Sequence, residues 1–147
     1  MKAKRAVVAG VVGTAAMTVL MLGAPKLGLA KLAIGQQLST FLAVSVGYLP
    51  VGPFTGWIVH FGFGIVLAII YALVFQERLT GPPVLRGALY GVLVFILAQL
   101  VFMPLMGAGV FSRGDVPMLV GSLIMHLVYG GVDGAICGEP ARARPAA

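Results

Sequence analysis

Four long apolar runs separated by short turns constrain this chain more than any other feature. They cover about Ala6–Gly23, Phe54–Phe75, Leu85–Met106 and Pro117–Cys137. Crossing about 30 Å of hydrocarbon takes about 18–20 helical residues, and each run approaches or exceeds that length. Lipid offers no water to satisfy backbone N–H and C=O groups, so helices are the expected form. The breaks carry turn residues: Ala24-Pro25, Gly52-Pro53, Gly81-Pro82-Pro83 and Gly114-Asp115-Val116-Pro117. Only 10% of the residues are charged and 60% are hydrophobic, against roughly 25% charged in a soluble domain. A soluble protein of this size lacks the polar groups to cover itself. The fold expected is all-α, a transmembrane four-helix bundle forming one domain over residues 1–147, with the lipid bilayer as its solvent.

The net charge of +6 does not point to nucleic acid. Lys2, Lys4, Arg5, Arg78, Arg86, Arg142 and Arg144 flank apolar runs on one side of the expected membrane, and no basic stripe is interleaved with aromatics. Lys26, Lys31 and Arg113 fall on the other side. The excess of basic loop residues marks the cytoplasmic face, so both termini are expected inside, in a bacterial cytoplasmic membrane. An alternative reading of the start is a signal peptide, with Gly28-Leu29-Ala30 resembling a cleavage site; the apolar run is longer than a usual signal core and has a counterpart later in the chain. The single cysteine, Cys137, cannot form an intrachain disulfide, and no zinc spacing is present.

That counterpart is an internal repeat. Arg5-Ala6-Val7-Val8-Ala9-Gly10-Val11 aligns with Arg86-Gly87-Ala88-Leu89-Tyr90-Gly91-Val92 at an offset of 81 (86 − 5). The segments around His60 and His126 align at an offset of 66 (126 − 60). The bundle therefore reads as two repeated helical hairpins in the same membrane orientation, related by a pseudo-two-fold axis along the membrane normal. The first hairpin carries 15 extra residues (81 − 66), which fall in about Lys31–Leu49. This stretch is too polar for a span. Leu38, Phe41, Leu42 and Leu49 are expected to form one apolar face of an interfacial helix on the outer side, with a re-entrant segment as the alternative.

The repeat brings a histidine pair with it. In Gly56–Gly64 and in Ser122–Gly130 a small residue stands four before the histidine and a glycine four after it. Positions four apart share a helix face, and ionisable residues inside a span are costly and mark function. In an up-down-up-down bundle the second and fourth helices are diagonal, which puts His60 and His126 at matching depth, facing one another. Two imidazoles so placed suit opposite faces of a b-type haem, or one of them a chlorophyll-type pigment, with Gly56, Gly64, Ser122 and Gly130 letting a flat macrocycle approach the helices and Trp57, Phe61, Phe63 and Leu127 around it. A second ligand reading uses Met17, Met21, Met103, Met106, Met118 and Met125 with the histidines, since thioether and imidazole together suit Cu(I). Beside both stands a structural reading: small residues at this spacing pack membrane helices, a histidine there bonds a neighbouring helix, and methionine fills apolar gaps.

Asp133 follows His126 by seven residues and shares its face, about 10 Å nearer the inner side. A lone carboxylate in hydrocarbon is costly, so a contact with Arg86 or Arg5 is expected, or else a proton-exchanging role below the histidines. Gln99, mid-span, is expected to bond an adjacent helix. No hydrolase, group-transfer or nucleotide-binding motif is present.

On its two "His-x3-Gly" segments and its "Arg-x4-Gly-Val" helix starts, the chain resembles the small four-helix bacterial membrane proteins catalogued only as domains of unknown function. The resemblance covers all four spans; it implies the architecture and no established activity. Asp133 and Cys137 stand where the first repeat has Leu67 and Tyr71. The functional expectation is a haem-binding electron-transfer module using His60 and His126. The alternatives are a non-catalytic accessory or assembly subunit of a homo-oligomer or larger membrane complex, binding no cofactor, and a small metal or solute transporter.

Overall fold

A computed structural model describes residues 2–28, 31, 33–46 and 52–138. Four helical stretches, Lys2–Leu27, Phe54–Phe75, Pro83–Leu105 and Val116–Cys137, are long and apolar enough to cross a membrane. They are spans 1 to 4, and the described residues contain no strand. Each agrees with its sequence expectation to within a few residues. Span 1 gains most, running back through Lys4 and Arg5 and forward through a 3-10 turn at Ala24–Leu27, because helical hydrogen bonding does not stop where the apolar run does. Proline opens spans 2, 3 and 4, where its missing N–H costs nothing. The Asp115 carboxylate caps span 4 by accepting from the Met118 amide at 3.0 Å. Leu22, Val19, Ile58 and Leu73 all lie more than half exposed, the outward apolar surface that lipid requires.

Spans 1 and 2, spans 3 and 4, and spans 1 and 4 pack backbone to backbone, whereas the backbones of spans 2 and 3 stay apart through the middle of the bundle. Spans 2 and 4 are therefore diagonal, as the hairpin repeat requires. The closest approaches repeat too. In the first hairpin Gly10 lies against the backbone of Gly64 and Ile65. In the second, Gly91, 81 residues after Gly10, lies against Gly130, 66 residues after Gly64. Only a residue without Cβ fits at such contacts.

Two helix ends are wound wide. Span 2 finishes in a π-turn over Tyr71–Phe75, and span 3 carries one over Ala98–Phe102. The second has a visible cause in Pro104, which donates no hydrogen bond and whose ring crowds the carbonyl of Leu100.

The residues between spans 1 and 2 include a helix, Ile34–Val46, packed on span 2. Its buried side differs from the expected apolar face. Gly35, Leu38 and Ser39 are buried, while Phe41 and Leu42 are half-buried and Leu49 lies outside the described residues. Ser39 is buried because its hydroxyl works: Oγ donates to the Gly52 carbonyl at 2.7 Å and accepts from the Gly56 amide at 2.9 Å, capping the start of span 2. Arg142, Arg144 and the cleavage-like Leu29-Ala30 also lie outside the described residues.

Candidate functional site

The gap between spans 2 and 3 belongs to a cavity of about 290 Å³ inside the bundle. All four spans line it, and Ile34 and Leu38 of the connecting helix close one end. The wall is almost wholly apolar, with Met17, Met21, Met103, Met106 and Met125 prominent in it. Phe63 and Phe102 meet edge to face across the gap, centroids 5.2 Å apart. Farther along, Tyr90 donates to the Leu67 carbonyl at 2.8 Å and tilts against Tyr71 and Phe75. Between these two contacts the partly exposed Val66 and Leu97 leave the cavity open toward the surrounding lipid.

Both histidines line this cavity. His126 is buried, with Nδ1 2.7 Å from the Ser122 carbonyl one turn earlier. A carbonyl only accepts, so Nδ1 carries the proton and Nε2 keeps its lone pair. Behind it stands a buried chain of bonds: Gln99 Nε2 donates to Ser122 Oγ at 3.1 Å, and Ser112 Oγ donates to Gln99 Oε1 at 2.9 Å. Gln99 thus bonds span 4, as expected of a mid-span amide. Ser112 reaches it from a turn in which Phe111, Ser112 and Arg113 adopt φ of 44°, 48° and 53°, a left-handed conformation that costs roughly 1–2 kcal/mol per non-glycine residue. The phenyl ring of Phe95 meets the His126 imidazole edge-on at 6.0 Å. His60 is half-buried, flanked edge-on by Trp57 at 5.9 Å and Phe61 at 6.0 Å. Its Nε2 is enclosed and has no hydrogen-bond partner among the described residues.

The four small residues that frame the histidines divide. Gly64 and Ser122 line the cavity. Gly56 does not border it: the space where its side chain would stand holds Gly35 and Ser39 of the connecting helix. Gly130 faces Gly87 and Gly91 across the span 3–span 4 contact. These two glycines set helix separation rather than opening a slot for a flat ring, a correction to the sequence expectation. Trp57, Phe61 and Leu127 are not in the cavity wall, and Met118 is not among its methionines.

A family model covers residues 1–145, virtually the full length of this arrangement, and its description is a family of unknown function, DUF6789. The chain belongs to the DUF6789 family. No curated protein and no solved structure matches it.

A second polar group of this DUF6789 chain lies between the cavity and the end bearing Lys4, Arg5 and Arg86. Asp133 has 0% exposure, and neither carboxylate oxygen has a hydrogen-bond partner among the described residues. The expected bond to Arg86 is not made. Arg86 Nη1 donates instead to the Gln76 carbonyl at 2.6 Å, and Gln76 Nε2 donates to the Cys137 carbonyl at 2.9 Å. The wide turn ending span 2 exposes carbonyls at that end, and the guanidinium at the start of span 3 reaches them first. Arg5 is exposed and also makes no hydrogen bond to Asp133. Tyr129, one turn before Asp133, lines the cavity and donates to the Gly64 carbonyl at 2.6 Å.

Proposed function

We propose that this protein is a membrane-embedded electron-transfer module that holds a b-type haem between His60 and His126. The observation that carries the reading is that two imidazoles from repeat-related positions line one apolar cavity, and that His126, whose Nδ1 is bonded to the Ser122 carbonyl, keeps a lone pair on Nε2. A histidine that donates its other N–H to a carbonyl, as His126 does to Ser122, is oriented as metal-ligating histidines usually are. Gln99 holds Ser122, and the apolar wall keeps water away. A haem supplies a reversible one-electron centre, whose potential such surroundings tune. The cavity is about twice the roughly 150 Å³ of an apolar cavity that admits benzene, and its open side between spans 2 and 3 gives a larger flat ligand room to extend. The basic end faces the cytoplasm in this reading, by the excess of Lys and Arg there.

The methionines favour a second reading. Five thioethers share the cavity with both imidazoles, and that donor set suits Cu(I). The deciding experiment is an absorption spectrum of protein purified in mild detergent from its native membrane, oxidised and dithionite-reduced, with metal analysis alongside. A Soret band with sharp reduced α and β bands, lost in His60→Ala and His126→Ala, is the expected result. A flat spectrum with stoichiometric copper replaces haem with Cu(I). A flat spectrum without metal overturns both and leaves the accessory-subunit reading.

A further inference from the structure

The haem reading leaves Asp133 unused, although it is the most anomalous group in the bundle. An ionised carboxylate offers about four lone-pair sites, and burying one without donors or counter-charge is costly. The surroundings supply few donors. Tyr129 has committed its hydroxyl proton to Gly64, and Tyr90 has committed its own to Leu67. From span 2 the Tyr71 hydroxyl is buried and also lacks a hydrogen-bond partner among the described residues. Span 3 contributes Arg86, turned to Gln76. Span 4 itself contributes Cys137, and span 1 contributes Arg5 at its exposed end. Span 1 also makes the room: a Cβ on Gly13 would stand 3.0 Å from Asp133 Oδ1 and 3.1 Å from the Tyr129 ring. Asp133 therefore sits directly behind Tyr129, a residue of the cavity wall, on the side toward the basic end.

We propose that Asp133 is an exchangeable proton site serving the cavity. A hydronium ion of the water at the basic end loses a proton, its O–H bond breaking as the carboxyl O–H forms, and the reverse step returns the proton to that water, whenever the charge held in the cavity changes. A protonated carboxyl carries no charge to be compensated and asks for fewer donors than the ionised form. The group keeps the interior near neutrality while the imidazoles, or whatever they hold, gain and lose charge. This goes beyond the haem reading and stands without it.

The test is infrared spectroscopy of the whole chain in lipid, titrated from acid to alkaline pH, with Trp57 emission followed in parallel. Trp57 is the sole tryptophan and meets His60 edge-on, so its emission reports charge at the cavity. The expected result is a protonated-carboxyl C=O band that disappears on titration, is absent in Asp133→Asn, and disappears with the same midpoint as a change in Trp57 emission that Asp133→Asn abolishes. Where Asp133→Asn fails to fold, Asp115→Ala protein carrying isotope-labelled aspartate leaves Asp133 as the only labelled carboxyl, and the same titration is read there. No such band, or one that never titrates, overturns the exchange site. A titrating band to which Trp57 is indifferent overturns the link to the cavity. Neither measurement needs a cofactor, so a flat haem spectrum fails the earlier reading without touching this one.

Discussion

Gly130→Ala and Gly62→Ala differ only in what the added methyl group meets, and that makes their comparison the sharpest test of the packing. Both residues lie inside spans that carry the histidines. A Cβ on Gly130 would stand 2.7 Å from the amide nitrogen and 2.9 Å from the Cα of Gly91, with the Gly87 carbonyl closer still. All of these are backbone atoms, so spans 3 and 4 must move apart. A Cβ on Gly62 meets nothing within 4 Å. Alanine is favoured over glycine in a helix by about 1 kcal/mol in either position, and this gain cancels between the two variants. The difference isolates the cost of overpacking, about 1–3 kcal/mol. Reversible unfolding in mixed detergent micelles measures it: Gly62→Ala should match or exceed the parent, and Gly130→Ala should fall below it by that amount. His126 stands one turn from Gly130 and its carbonyl abuts Gly91, so Gly130→Ala should also disturb any cavity spectrum that Gly62→Ala leaves alone. Equal stabilities, within about 0.5 kcal/mol, which is the scatter of an innocuous substitution, would refute the close span 3–span 4 contact.

Two further changes probe the polar contacts. Gln99→Leu removes the bonds to Ser122 and Ser112; with interhelical bonds in membranes averaging about 0.6 kcal/mol each and two hydroxyls left behind, a loss of about 1–2 kcal/mol in detergent unfolding is expected, with His126 less firmly oriented. Ser39→Ala removes the cap on span 2 and should cost about 1 kcal/mol, seen most directly as faster hydrogen exchange at the Gly56 amide, while an unchanged rate there would contradict the capping role.

The spans were legible because the bilayer fixes their length and the turns between them carry glycine and proline. The repeat was legible because two offsets, read from letters alone, align Gly10 with Gly91 and Gly64 with Gly130, and each of these glycines sits at a close helix contact within its hairpin. Gln99 was legible as a lone amide with nowhere else to bond. The roles of Gly56 and Gly130 were not, since a glycine four residues from a histidine looks the same whether a ligand or another helix lies against it. Seeing Gly35 against Gly56 needs the path of the connecting helix, and its buried Ser39 breaks the apolar pattern by which such a helix is normally oriented. The Asp133 expectation went astray for a related reason. Depth along a helix can be counted, but which acceptor Arg86 finds first depends on the wide turn at Tyr71–Phe75, which leaves no mark in composition.

The two histidines do not end in the same surroundings, and the insertion explains why. At the residue four before each, the first repeat has Gly56 and the second Ser122. Gly56 is occupied by the connecting helix, with its amide held by Ser39. Ser122 is free of any such cover and turns its carbonyl and hydroxyl toward His126 and Gln99. One imidazole is therefore anchored by a buried network, while the other keeps an enclosed nitrogen with no hydrogen-bond partner among the described residues. In the proposed reading His126 is the fixed ligand and His60 the one that adjusts to what enters, with the side left open between spans 2 and 3 as the route from the bilayer.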